Sequence, residues 1–177
     1  FPVADGDTGR NLSISLYPLR AADADRKKVV EQLLFSARGN SGNIASRFFS
    51  SFYLADSIAD LAGKAQEGRK SAWRAVSDPC TGTMLSLFDA LTEVLSATQS
   101  VAVKEAAVRI LNRLEKAVQE TRNTLPKLRD AQVVDAGALG MYIFFEGFFY
   151  ALAEVPDNQR PVTEIFKNSL RISSSFR

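Results

Sequence analysis

The 177 residues, 46% hydrophobic and 24% charged, suffice for one ordinary domain core and exclude an intrinsically disordered chain. Twenty-two basic against 20 acidic residues leave +2, which gives no electrostatic reason to expect nucleic acid or an anionic membrane as the main partner. With no histidine and a single cysteine, Cys80, the chain excludes Ser-His and Cys-His catalysis, imidazole or cysteine metal sites and a disulfide framework; a metal would sit on oxygen, as Mg²⁺, Ca²⁺ or Mn²⁺ does.

The apolar period is helical throughout, and no segment alternates in twos between turn signals. This predicts an all-α fold, an antiparallel up-down barrel or bundle of about seven to eight helices. The first helix spans 9–20, the second 25–37 and the third 41–61, the last with a stripe of Ile44, Phe48, Phe52, Ala55 and Ala59. A fourth over 64–77 takes up the string Gly63-Lys-Ala-Gln-Glu-Gly68-Arg-Lys-Ser71 from its second residue. That string nearly spells a P-loop, but its lysine falls one position late and no strand precedes it, so it reads as charged helix surface. The fifth, 82–97, carries Met84, Phe88, Leu91 and Leu95. The sixth, 101–121, sets Val103, Ala107, Ile110, Leu114, Ala117 and Val118 against Lys104, Glu105, Arg109, Arg113 and Lys116. A kink around Pro126 precedes the seventh, 136–153. Its Phe144, Phe145, Phe148 and Phe149, like Trp73, read as core or as an interface with a partner. The run Met141–Ala153 is broken by Glu146 and falls short of the ~20 residues a bilayer needs. Residues 1–155 are expected to form one helical domain, and 156–177 a polar tail or a linker toward a downstream domain of a longer chain. The lone cysteine fits the reducing cytoplasm.

Seven of the ten glycines fall in four clusters: Asp5-Gly-Asp-Thr-Gly9, Gly39-Asn-Ser-Gly42, Thr81-Gly-Thr83 and Asp135-Ala-Gly-Ala-Leu-Gly140. Each precedes an apolar helical run, where unpaired N–H groups and the positive dipole end occur. They open the first, third, fifth and seventh helices. Short loops make neighbours antiparallel, so the four are expected to converge on one rim, a geometry suited to a polyanion. Asp5 and Asp7, with glycine between them, can turn toward one hard cation; standing alone they read as caps of the first helix, and the three further clusters at the same rim turn the reading to the cation. An EF-hand is excluded, because the sixth position is Arg10 and the twelfth Leu16. Asn40 and Ser41 beside glycine amides can donate to phosphate or serve as plain N-caps. Thr83, Met84, Asp135 and Gly137 could shape a nucleoside pocket or simply cap two helices.

Taken together, these motifs resemble the nucleotide-binding domain shared by the dihydroxyacetone kinase L subunit and the ATP-binding subunit of bacterial fatty acid kinase, and look closest to the latter. The strings are Phe1-Pro-Val-Ala-Asp-Gly-Asp-Thr-Gly-Arg-Asn11, Ala37-Arg-Gly-Asn-Ser-Gly42, Gly82-Thr-Met-Leu85 and Thr124-Leu-Pro126 followed by Val134-Asp-Ala-Gly137. Thr8 stands where the dihydroxyacetone branch usually has histidine. The resemblance implies a helical barrel with ATP at one rim and Asp5 and Asp7 as the catalytic metal ligands, holding Mg²⁺ between the phosphates. It also implies that Thr8, Gly9 and Asn11 contact the nucleotide, that Asn40, Ser41 and Gly42 cradle phosphate, and that Thr83, Met84, Asp135 and Gly137 lie near the nucleoside. The implied acceptor is a fatty acid carboxylate presented by a DegV-type protein or fused domain, with an acyl phosphate as product. The alternatives are a dihydroxyacetone (glycerone) kinase L-like subunit and a non-catalytic nucleotide-binding or regulatory module; a homodimer is left open. Three departures stand out. The family's first metal ligand would lie five positions before Asp5, ahead of Phe1. Arg10 replaces a small residue beside the phosphates. Ala4 and Ala138-Leu139 replace a proline and a glycine-rich stretch.

Overall fold

The computed structural model describes residues 6–21, 25–155 and 161–170. Among them the structure is helical, without strands, as the periodicity predicts. The α-helices are α1 (Thr8–Leu16), α2 (Arg26–Ser36), α3 (Gly39–Phe52), α4 (Leu61–Arg74), α5 (Met84–Ala97), α6 (Val103–Thr124), α7 (Pro126–Ala131), α8 (Ala136–Leu152) and α9 (Val162–Ile165).

Where boundaries differ from expectation, local chemistry explains it. Pro18 has no N–H to continue the ladder, so the expected 9–20 helix divides into α1 and a 3₁₀ turn, Tyr17–Arg20. The expected 41–61 helix stops at Phe52. Ser57 Oγ donates to Asp60 Oδ2 at 3.0 Å around a new 3₁₀ turn, Ile58–Asp60. Such local side-chain bonds compete with helix continuation, and Ala59, placed in the apolar stripe, is exposed. At the far end of α6, Leu125 is extended (φ −95°, ψ 131°) before Pro126, as a residue preceding proline must be. The kink therefore becomes the short helix α7, closed by left-handed Gln132.

Packing follows a closed circuit, α1 on α3, then α4, α5, α6 and α8, and back to α1, with α2 against α1 and α3. The core is aromatic at its centre. Phe48 of α3 stacks on Phe88 of α5 with centroids 4.0 Å apart, and Phe145 of α8 meets Phe48 edge-on at 6.0 Å. Trp73 packs on this core and donates its indole N–H to Asp89 at 2.9 Å, where Arg69 also pairs. Close approaches give the directions of the helices. Asn11 and Ser15 abut Gly39 and Gly42 in the same order, so α1 and α3 run parallel, and Leu12 abuts Gly140. The starts of α1, α3, α5 and α8 consequently stand at one end of the bundle.

The described part of the segment beyond 155 folds back onto this unit. Phe166 is buried and meets the Tyr142 ring edge-on at 5.6 Å, and the Val134 N–H donates to the Ser169 carbonyl at 3.1 Å.

Candidate functional site

Two corners make up the shared end. In the first, Asp7 occupies the N-cap of α1 without capping it. Its exposed carboxylate instead accepts the Asn11 side-chain N–H at 3.1 Å. Asn11 lies against Gly39, where a Cβ would come within 2.7 Å of Asn11 Nδ2; the positive φ of Gly39, +59°, also calls for glycine. Gly9 and half-buried Thr8 lie in the first turn of α1. Asn40 is exposed and Ser41 half-buried in the first turn of α3, whose leading amides have no acceptor within their own helix. Gly42 does not join them. Its N–H already donates to the Arg38 carbonyl at 3.1 Å, and it is buried against Ser15, so the expected place of this amide in a phosphate cradle is taken by a helix bond. Arg10 and Arg38 are exposed nearby.

In the second corner the capping alternative describes the side chains. Thr83 Oγ1 accepts the Leu85 N–H at 3.3 Å and donates to the Cys80 carbonyl at 3.1 Å. Asp135 Oδ1 accepts the Ala138 N–H at 2.7 Å, and the carboxyl also receives the N–H groups of Met84 and Gly137. It thereby ties the start of α5 to the start of α8. Asp135 in turn donates its own N–H to buried Thr121 at 2.9 Å. Met84 is buried with its methyl over Gly137, and Gly82, φ +82°, sits against Thr124, where a Cβ would approach to 2.5 Å. Of the nucleoside group, then, Thr83 and Asp135 spend their oxygens on protein groups, and Met84 and Gly137 are buried against each other. Ser15 and Thr121 escaped the sequence reading, and Thr124 entered it only within the string Thr124-Leu-Pro126. Ser15 alone carried a signal, its four-residue spacing from Asn11 and Asp7.

Burial pushes the Asp135 carboxyl above its ordinary 3.8, outweighing the lowering effect of the three N–H donors. The native state therefore keeps this proton at a pH where the unfolded chain has released it, and stability falls as pH rises from about 3.8 through the native pKa. Asp135→Asn keeps an acceptor without the charge. Denaturant titrations from pH 4 to pH 7 are expected to show wild type losing stability relative to this variant as pH rises.

Asp5 lies outside the described residues. Among those described, no three carboxylate or thiol groups gather around a common point, and the carboxylate at the rim that caps no helix is Asp7. Two hollows lie away from the rim. A cleft of about 230 Å³ toward the C-terminal ends of α1, α3 and α8 is lined by Leu19, Phe49, Phe52, Tyr53, Phe144 and Phe148. A smaller one, about 90 Å³, is lined by Glu115, Tyr142, Glu146 and Tyr150. Burial and the Glu146 and Glu115 charges raise the Tyr142 hydroxyl far above its usual value. No helix among the described residues is long and apolar enough to cross a membrane.

Comparison with known proteins gives the family. The model of the DAK2 domain matches residues 2–150; the chain belongs to this family, a kinase-related one. It is 32% identical over 169 residues to an uncharacterized protein of Staphylococcus saprophyticus and 30% identical over 169 residues to protein YloV of Bacillus subtilis. Each match covers 86% of this chain and 31% of the relative, so the chain spans about a third of the length of the relatives it matches.

Proposed function

We propose that this DAK2-family chain binds ATP with Mg²⁺ at the end shared by the starts of α1, α3, α5 and α8. In this reading it transfers a phosphoryl group, in the cytoplasm, to a fatty acid carboxylate presented by a DegV-type partner protein or domain. The observation that carries it is Asp7, a carboxylate at a helix N-terminus that does no capping and is held by Asn11 beside the open first turn of α3. Oxygen ligands suit Mg²⁺, and Asp7 with Asp5 would hold it; a bound divalent ion would supply neutralisation of phosphate charge. The leading amides of α3 with Asn40 and Ser41 would take phosphate oxygens, helped by the positive ends of two parallel helices and by Arg10 and Arg38. The starts of α5 and α8, with Thr83, Met84, Asp135 and Gly137, would flank the nucleoside. Phosphoryl transfer is catalysed mainly by position and electrostatics, so a chain without histidine suffices.

Thermal unfolding with ATP and Mg²⁺ against ATP and EDTA tests the reading. A ligand at 100 times its Kd stabilises by about 2.7 kcal/mol. A rise in Tm with Mg²⁺·ATP alone is expected, and no rise would overturn the proposal. Labelled ATP offered with a fatty-acid-loaded DegV-type protein or with a dihydroxyacetone-loaded partner then decides the acceptor.

A further inference from the structure

We infer that Ser15 is a positioning residue, which fixes the register of α3 against α1 and thereby the separation between the Asp7 carboxylate and the leading amides of α3. This rests on the nucleotide reading above.

Asp7, Asn11 and Ser15 follow one another at four-residue spacing, so they form one polar stripe along α1. Each member makes one link of the corner. Asp7 takes the Asn11 amide, and Asn11 abuts Gly39. Ser15 Oγ accepts the Arg38 N–H at 2.9 Å. Arg38 is the N-cap of α3, and its side chain provides no cap; the acceptor arrives from another helix instead. A buried serine inside a helix commonly turns its hydroxyl to its own preceding turn. Ser15 is 0% exposed and reaches across to α3. Gly42 makes room for it. A Cβ at Gly42 would overlap Ser15 Oγ and lie 3.1 Å from Ser15 Cβ. The hydroxyl and the missing side chain form a peg and a notch. A shift of α3 along α1 by one residue would break the Arg38 bond and drive the peg into an occupied position. In this arrangement Gly42 serves the site through Ser15 and not by contact with phosphate.

A merely stabilising role and a positioning role predict different results. Loss of stability lowers Tm and leaves the affinity of the folded protein for nucleotide unchanged. Altered registry changes how well Asp7 and the α3 amides engage one Mg²⁺·ATP together, and so lowers the ratio of ATP affinity with Mg²⁺ to that in EDTA. Calorimetric titration of ATP in both conditions is the measurement, with wild type, Ser15→Ala, Gly42→Ala and the double variant Gly42→Ala with Ser15→Gly. For Ser15→Ala, Mg²⁺·ATP binding is expected to weaken about fivefold, the worth of one hydrogen bond, with a smaller change in EDTA. Gly42→Ala is expected to weaken it further, and the added Ser15→Gly to return it to the level of Ser15→Ala. An affinity ratio in Ser15→Ala equal to wild type, whatever its Tm, overturns the role of Ser15, as does a Gly42→Ala defect that Ser15→Gly leaves in place. Wild type that binds no ATP removes the nucleotide reading and this role with it. Wild type that binds normally beside an unmoved Ser15→Ala removes the role of Ser15 alone.

Discussion

Replacing Asp7 with alanine is expected to abolish the Mg²⁺-dependent part of ATP binding while leaving helical content and Tm of the free protein unchanged. The two halves of this expectation have separate grounds. Asp7 is exposed, its carboxylate accepts no backbone N–H of α1 and has the Asn11 side chain as its hydrogen-bond partner, and substitutions at such surface positions stay within about 0.5 kcal/mol. An N-cap aspartate that did cap would cost about 1 kcal/mol on conversion to alanine, so a clear fall in Tm would itself speak for a structural role. The functional half is larger. At 100 times the wild-type Kd the Mg²⁺·ATP stabilisation of about 2.7 kcal/mol is expected to vanish in the variant, with wild type and variant converging in EDTA. Asp7→Asn should behave likewise, since it keeps size and hydrogen bonding and loses the charge that a divalent cation requires. ATP affinity unchanged in both variants would remove Asp7 from the metal site.

The contrast between Asp7 and Asp135 shows what residue order can and cannot convey. Both are aspartates within two residues of a glycine at helix starts, and the resemblance implies ligand contact for both. Asp7 faces out, while the Asp135 carboxyl is filled by N–H groups from two helices. Type and spacing identify a helix start, but which neighbour occupies an oxygen is decided by the partner helix, far away in sequence. The same limit hid Ser15. A serine within an amphipathic helix looks like surface, and only the arrival of Arg38, 23 residues on, makes it a cap. Gly42 matched a phosphate motif by type, yet the start of α3 at Gly39 places its amide within the helix ladder. The fold was far more legible. Stripes at 3.6-residue spacing depend on burial alone, and alternation of direction, with short α7 counted as the kink before α8, then requires α1, α3, α5 and α8 to begin at one end. Errors arose where polar or proline chemistry overrode the stripe, at Pro18 and at Ser57. Beyond residue 155, in the stretch read as a polar tail or linker, the described part carries one aromatic anchor, Phe166, whose partner Tyr142 sits in α8.

Truncating Phe145 to alanine is expected to destabilise the protein by about 4 kcal/mol, the middle of the range for buried phenylalanines. Phe145 is fully buried, and its ring stands within 6.4 Å, centroid to centroid, of Phe48, Phe49, Phe52, Phe88, Phe144 and Phe149. Those rings also touch one another, Phe48 lying face to face on Phe88 at 4.0 Å. None can tilt into the space without giving up a contact of its own, so the cavity stays open and the cost is not recovered by collapse. Phe35, 89% exposed on α2, provides the control, and Phe35→Ala should stay within about 0.5 kcal/mol. The denaturation midpoint should fall in Phe145→Ala with the m-value unchanged, and a loss below about 1 kcal/mol would mean that the aromatic cluster repacks. The same hub joins α3, α5 and α8, three of the four helices whose starts form the rim. Its truncation should therefore weaken Mg²⁺·ATP binding only as far as it unfolds the protein or spreads those starts, and the two are separable. Mere unfolding is offset by raising the ligand concentration, whereas spread starts lower the affinity of the molecules that remain folded.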